Sequence, residues 1–447
     1  MGFLRKIIPQ NCCIRRWYSI GNGYLAALVY GHPAKRMTCI GVTGTDGKTT
    51  TTELIAHILR RSGKRVLSIS TTRVQMDRQL FPTDKRTTPS PWKIQKLLHE
   101  AVENNIDCMV MEVSSHALAQ ARVQGILFDI AAFTNITPEH LDYHVTFVNY
   151  QLAKKKLFTT YLKPERGISI LNSEDGCARA WSREFRKKGK KILTYSTKPH
   201  EEHFSSWNAD DIESTETGIR FDLTDHQRKT KQTVQLPMRG FFNVPNTIAA
   251  MQTAYCLGID MKDSARFLED FSGIPGRMEE ISLGQDFYVF VDFAVTPGAF
   301  AKLLNTAKKI AGGNQSIIVL GSPGSHPDPG VRHQIGVIVA TVADQIIVTD
   351  DEPYFENPAH IRTQILDGAH EAIPNEQDFE NRVQDISDRR LAIKTAISLA
   401  QSGDVVIVAG MGHLQSRNIA GEEVQWSDVE IVREALKTSN HSGIHFE

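Results

Sequence analysis

Short apolar runs alternate with longer amphipathic stretches along most of the chain. Cys39–Thr43 is apolar and ends in a glycine turn. The stretch after that turn places Leu54, Ile55, Ile58 and Leu59 on one side of a helix. Apolar runs recur at Val66–Ser70, Cys108–Val113 and Ile130–Thr134. Strand–helix–strand alternation predicts a parallel sheet with helices on its faces. Ligands of such sheets bind beyond the carboxyl ends of the strands, where Gly44, Glu112 and Asn135 fall. From Asp210 to Leu236 the pattern turns polar and strand-like, and a helix is expected over Asn246–Leu257. Gly273–Arg277, rich in glycine and proline, breaks both patterns and reads as a hinge. A second alternating set follows, with strands at Tyr288–Asp292, Ser316–Leu320, Gln345–Thr349 and Asp404–Ala409. Helices fit between them at Ala299–Ile310 and Arg389–Ala400, so a separate Rossmann-like α/β domain is expected.

The 447 residues suffice for two or three domains. Lys plus Arg equals Asp plus Glu at 51 each, which argues against a nucleic-acid binder. The six cysteines include no CxxC spacing, and Cys39 and Cys108 sit inside apolar runs. A disulfide framework or zinc knuckle is not expected, and a reducing cytoplasm fits best. The first 36 residues carry Lys6, Arg15 and Arg16 beside apolar pieces, with one apolar run at Tyr24–Tyr30. That run is far shorter than the ~18 residues a span requires. The favoured reading is an amphipathic helix packed on the body. The other is a basic, aromatic helix lying on a membrane surface.

The segment Gly41–Thr50 joins the first strand to its helix. Backbone amides of a glycine turn and of a helix N-terminus point to one place and form an anion site. Lys48 adds a mobile positive charge, and the Thr49 hydroxyl suits Mg²⁺. The strict phosphate-loop pattern wants glycine where Val42 stands, but Gly44 and Gly47 still permit the turn. The fold class that follows is α/β. A phosphate-loop central domain with a mostly parallel sheet is expected over 37–275 and a Rossmann-like domain over 276–447, after the amphipathic segment 1–36.

Gly44–Thr50 resembles the Gly-Thr-Asn-Gly-Lys-Thr loop of the Mur ligases, with Asp46 in place of the usual Asn. The similarity continues in family order. It includes Thr87-Thr-Pro89, Met111–Leu118 with Gln120 and Arg122, and Phe133–Thr137 with His140-Leu-Asp142. Ala153-Lys154, Asn243 with Asn246, Pro275–Glu279 and Val291–Pro297 follow. The Ser-Ser-His-Ala-Leu segment is similar to the branch that adds the third amino acid, the UDP-N-acetylmuramyl-tripeptide synthetases.

The resemblance implies an ATP-dependent ligase that joins a muramyl-peptide carboxylate to an amino acid through an acyl phosphate, in peptidoglycan precursor synthesis. It implies ATP held by Gly44, Thr45, Asp46, Gly47, Lys48, Thr49 and Thr50, with Asn135, Asn246, Arg277 and Asp292. It implies Mg²⁺ at Thr49, Glu112, His140 and Lys154, the last carbamylated. Lys48, Lys154, Glu112 and His140 would carry the catalysis. Precursor and amine would be held by Thr87, Thr88, Ser114, His116, Gln120, Arg122, Asp351 and Gly410. Read without the resemblance, the Lys154–Lys156 run is a solvated face and His116 is as readily a core histidine. The partners expected are these small molecules, without nucleic acid, and the protein is expected to be a monomer.

The sequence departs from the family in two places. The phosphate loop begins about 40 residues in, which leaves no room for the family's N-terminal uridine-nucleotide domain. The amine side has lost polar groups. The family's Asp-Tyr-Ala-His-Thr-Pro reads Asp292–Pro297 with Val295 for histidine, and Asp-Asn-Pro-Arg reads Asp351–Tyr354. Gly-Lys-Gly-His-Glu reads Gly410–Leu414, and the Ser322–Gly330 turn keeps Arg332 as its basic residue. The alternatives are a non-catalytic descendant that binds ATP and precursor, or an amide ligase acting on a non-nucleotide substrate.

Overall fold

The computed structural model describes residues 13–81, 86–198, 205–324 and 329–441. Lys6, Cys12 and the centre of the Ser322–Gly330 turn lie outside the described residues. The chain divides into two compact units, one ending at Ser272 and the other beginning at Gly273.

The strands of the first unit are β1 (Thr38–Thr43), β2 (Val66–Ile69), β3 (Val74–Met76), β4 (Gln79–Phe81), β5 (Cys108–Glu112), β6 (Ile130–Phe133), β7 (Ile168–Asn172), β8 (Lys191–Ser196), β9 (Trp207–Thr215), β10 (Gly218–Asp225) and β11 (Thr230–Leu236). They form one sheet in the order β11-β10-β9-β8-β7-β6-β1-β5-β2-β3-β4. Its middle, from β9 to β2, is parallel, and both margins are antiparallel. The polar stretch after Ser205 is thus a three-strand margin, where one face meets water and side chains alternate. Cys39 and Cys108 are buried free thiols, and burial pushes Cys39 up to about 12.

Helix Lys48–Arg61 follows β1 and buries Leu54, Ile55, Ile58 and Leu59 completely. The helix expected at Asn246 begins instead at Asn243 and ends at Tyr255. Pro245 does not prevent the earlier start, because a first-turn residue needs no amide donor. Among the described residues, no helix is long and apolar enough to cross a membrane.

The second unit has β12 (Glu279–Glu280), β13 (Tyr288–Asp292), β14 (Ser316–Leu320), β15 (Gln345–Val348), β16 (Val383–Asp385) and β17 (Val405–Ala409), in the order β12-β13-β17-β14-β15-β16. All pairs but the first are parallel. The expected mixed α/β class is therefore observed in each unit. A hairpin, β18 (Ser416–Ile419) with β19 (Glu422–Gln425), was not foreseen. It docks on the turn after β15. Tyr354 N–H donates to the Asn418 carbonyl (3.1 Å), and Asn418 N–H donates to Glu352 Oε1 (2.9 Å). Helices Arg389–Leu399 and Asp428–His441 are joined by a buried ion pair. Arg389 Nε and Nη2 lie 2.9 and 2.7 Å from the two Asp428 oxygens.

Candidate active site

The first unit's site is built on the rim where its central strands end. Register pairs Val42 with Glu112 on one side and with Ala132 on the other. The loop after β1, the carboxylate ending β5 and the Thr134–Asn135 segment after β6 therefore finish side by side.

Two loop glycines are required by close approach. A β-carbon at Gly44 would lie 1.8 Å from Thr134 Oγ1, and one at Gly47 2.2 Å from Asn246 Oδ1. Gly47 is also left-handed, with φ 78°. The loop is held from outside by its neighbours. Thr45 N–H donates to the Asn135 carbonyl (2.8 Å), and Asp46 N–H donates to Asn135 Oδ1 (3.0 Å). The Thr134 hydroxyl donates to the Asp46 carbonyl (2.6 Å). Gly47 is the N-cap of Lys48–Arg61 and has no side chain to occupy the first-turn amides. Those amides and the helix dipole favour an anion. Lys48 folds back over the loop and donates to the Thr45 carbonyl (2.6 Å). Thr49 and Thr50 lie buried in the first helical turn.

Lys154 overturns the solvated-face reading of its run. It is 1% exposed, while Lys155 and Lys156 are half-buried. Helix Phe147–Thr159 turns Tyr150, Ala153, Lys154, Leu157 and Phe158 to one buried side. Lys154 Nζ donates to the Gly44 carbonyl (2.5 Å) and sits over the Tyr150 ring at 4.5 Å. Burial, reinforced by the nearby Lys48 charge, holds its proton affinity well below the lysine range.

Glu112 is fully buried and accepts from the Thr71 amide (3.1 Å) and hydroxyl (2.9 Å). His140 stands 4.7 Å, ring to ring, from His116 and 3.8 Å from Glu139 Oε2. Burial pulls His140 below its usual range, and it pulls His116 to about 3 and His144 to about 4. These rings are neutral near pH 7, the form in which imidazole ligates metals. Among the described residues, no three His, Cys, Asp or Glu side chains converge as a metal-holding group. The expected set draws only Glu112 and His140 from those types. A hydroxyl, a carboxylate, a neutral imidazole and a carbamate would together suit a hard divalent ion.

The residues expected to hold the precursor also meet. The Thr88 hydroxyl donates to the Glu112 carbonyl (2.9 Å) and accepts from Ser114 N–H (3.0 Å). Arg122 donates to the Thr88 carbonyl (2.8 Å) and, through Nε and Nη2, to Gln120 Oε1. The Thr87 and Thr71 hydroxyls lie 3.1 Å apart, and the His116 ring is tilted against Tyr143 with centroids 4.3 Å apart. The Ser114 hydroxyl also caps helix Ser115–Ala119, accepting from Ala117 N–H.

In the second unit, Asp292, Gly410 and Asp351 lie at or just past the carboxyl ends of β13, β17 and β15. The Asp292 carboxylate accepts Met278 N–H (2.7 Å). Burial raises it against the opposing charge of Arg277, whose guanidinium lies 5.1 Å from the Phe293 ring. Asp351 Oδ2 is buried without a hydrogen-bond partner, and burial pushes this carboxyl up to about 6. A β-carbon at Gly410 would come within 2.2 Å of that oxygen. Arg417 stacks on Trp426 at 4.2 Å, and its Nε and Nη1 are buried without partners. Arg332 is engaged elsewhere: it is buried and grips both Glu356 oxygens, at 2.6 and 2.8 Å.

Sequence reasoning did not single out Tyr150, Thr134 or Thr71, whose side chains touch the candidate site. The Tyr150 hydroxyl shares a 3.0 Å hydrogen bond with Thr45 and lies 3.2 Å from Glu139 Oε2. Its spacing of four from Lys154 was the available signal.

Residues 42–254 match the Mur ligase middle domain, and 276–412 match the Mur ligase glutamate ligase domain. The chain is 38% identical over 418 residues to the UDP-N-acetylmuramoyl-L-alanyl-D-glutamate–2,6-diaminopimelate ligase of Thermosynechococcus vestitus, covering 93% of this chain and 80% of that protein. It is 36% identical over 430 residues to a UDP-N-acetylmuramyl-tripeptide synthetase of Roseiflexus sp., covering 94% and 82%. A solved UDP-N-acetylmuramoyl-L-alanyl-D-glutamate–2,6-diaminopimelate ligase superposes with a TM-score of 0.64 at 32% identity, over 91% of this chain and 79% of that one. Enzymes of this kind are ATP-dependent and generally use Mg²⁺. On these matches and this architecture, the chain belongs to the Mur ligase family.

Proposed function

We propose that this chain uses ATP to join a muramyl-peptide carboxylate to an amino acid, as a step in making peptidoglycan precursor. The observation that carries this reading is a buried amine, Lys154, set against the carbonyl of the first phosphate-loop glycine. The phosphate-loop share of the ATP contacts is assigned to residues 37–275 and the amine contacts to 276–447. ATP as substrate and the free core thiols Cys39 and Cys108 support action in the cytoplasm.

The substrate carboxylate attacks the γ-phosphorus, forming an O–P bond as ADP leaves. The amine then attacks the acyl carbon, inorganic phosphate departs with the former carboxylate oxygen, and the nitrogen loses a proton. Lys48 and the loop amides neutralise the β- and γ-phosphates where charge shifts. Asn135 keeps the loop in shape, and Asn246 packs against Gly47. Thr49, Glu112, His140 and a carbamylated Lys154 would hold Mg²⁺, which supplies further neutralisation of phosphate charge. In its neutral form, which burial favours, the Lys154 amine can add to carbon dioxide, forming an N–C bond and releasing one proton. That step places an anion close to Lys48. Arg122, fixed by Thr88 and Gln120, with Thr87, Ser114 and His116, is assigned to the precursor. Arg277 and Asp292 are assigned to ATP, Asp351 and Gly410 to the amine, and Arg417 to a carboxylate of the incoming amino acid.

A ligation assay tests both levels of this reading. Amide product should form, bicarbonate should raise the rate, and Lys154→Ala should cut it by at least ~10²-fold. Short carboxylic acids should restore part of the alanine variant's rate by supplying the missing anion. An alanine variant with full activity would remove the carbamate. A native protein that binds ATP and precursor yet forms no product would favour the non-catalytic reading, which the loss of polar groups at Val295, Tyr354 and Leu414 supports.

A further inference from the structure

Helix Cys13–Val29 is seated by its small residues. Ala26 and Ala27 are fully buried, and a β-carbon at Gly125 would come 2.4 Å from that of Ala27. A β-carbon at Gly23 would come 2.6 Å from Gln124 Cβ. Asn22 accepts a hydrogen bond from Trp92 Nε1 (3.0 Å), and Tyr30 packs edge-on to Trp92. The large residues point the other way. Trp17 is 73% exposed, Leu28 65% and Val29 61%, and Tyr18, Tyr24 and Leu25 are each more than half exposed. Positions 17, 18, 21, 24, 25 and 28 repeat every three or four residues and form one continuous face. This inverts the usual arrangement, in which large apolar residues face the core and small ones are indifferent. A ridge of two tyrosines, a tryptophan and aliphatics needs a partner to cover it.

The charge pattern says which partner. Before Asp46 the chain contains Arg5, Lys6, Arg15, Arg16, Lys35 and Arg36 and no acidic residue. Because the whole chain balances at 51 and 51, the rest of it is acidic by the same six charges. A second copy of this helix would bring like charges together. An anionic lipid surface would attract this segment and repel the remainder, which sets the orientation as well as the contact. Tryptophan and tyrosine favour the boundary between headgroups and acyl chains. A helix of 17 residues is about 25 Å long, and it would lie in the plane of that boundary. We infer that the exposed aromatic face of Cys13–Val29 docks the protein on an anionic membrane surface.

The test is co-sedimentation of the full chain with phosphatidylcholine vesicles, with and without phosphatidylglycerol, at low and high salt. Binding is expected only with phosphatidylglycerol, weakened by salt, and reduced about tenfold or more in a Trp17→Ser/Leu25→Ser/Leu28→Ser variant. These side chains face outward, so the variant should keep its circular dichroism spectrum and ATP affinity. No binding to the mixed vesicles, or equal binding by the variant, would overturn the inference. So would a concentration-dependent dimer of the native chain that the variant abolishes, since the face would then belong to a second copy.

Discussion

Replacing Lys48 with alanine should leave a folded protein whose ATP turnover falls at least ~10²-fold. Lys48 is half-buried at the start of its helix, and its amine donates to the Thr45 carbonyl. Losing that bond costs about 1 kcal/mol of stability at most, because water can replace the amine there. The loop itself is held by Asn135 and Thr134 and would keep its shape. The variant isolates one charge at the γ-phosphate from the scaffold around it. Thermal unfolding beside steady-state ADP formation separates the two effects. Near-native turnover in a folded variant would mean that the loop is not where ATP reacts.

Diaminopimelate should rank below lysine, and lysine below a smaller or more apolar amine. By resemblance, the guanidinium that reads the distal carboxylate is here Tyr354, and the carboxylate that grips the distal ammonium is Leu414. The Tyr354 hydroxyl is committed to Glu352 at 2.9 Å. Arg332 cannot substitute, because Glu356 takes its guanidinium from both sides of the fork. Arg417 remains for one carboxylate, and every amino acid brings one of its own. The second zwitterionic end of diaminopimelate would lose two charge-assisted contacts of roughly 1.5–3 kcal/mol each. That corresponds to a ~10²- to 10⁴-fold preference against it. Relatives named as diaminopimelate ligases match most of this chain, so the result would separate its acceptor from theirs. Specificity constants for the three classes of amine decide the matter. Diaminopimelate ranking first would place its distal carboxylate on Arg417, and Arg417→Ala would then reverse the order.

Much of the first unit was legible because its signals are local. A β-branched run, a glycine turn and Lys-Thr at a helix start announce a phosphate loop within ten residues. The sheet ends could be aligned from pattern alone, which placed Glu112 and Asn135 beside that loop. The contacts that hold the loop are not local. Thr134 reaches Asp46 across 88 positions and Tyr150 reaches Thr45 across 105, and no short window contains both partners. Lys154 shows two local signals in conflict. Three consecutive lysines suggest a solvated face, yet Tyr150, Ala153, Leu157 and Phe158 already mark that helix side as core. Periodicity outweighs a charge run when the two conflict at one position. The Ser416–Gln425 hairpin was missed because its strands are polar and short, and its place is fixed by bonds to Tyr354 and Glu352 far away in sequence.

We propose that the phosphate loop and the buried lysine serve amide-bond formation. The most direct test is phosphate release by the native protein with ATP, muramyl dipeptides with and without the uridine nucleotide, and a panel of amino acids. Release should require both a precursor and an amine, with one amide product formed per phosphate. Release that ignores the amine, or none with any pair, would contradict it.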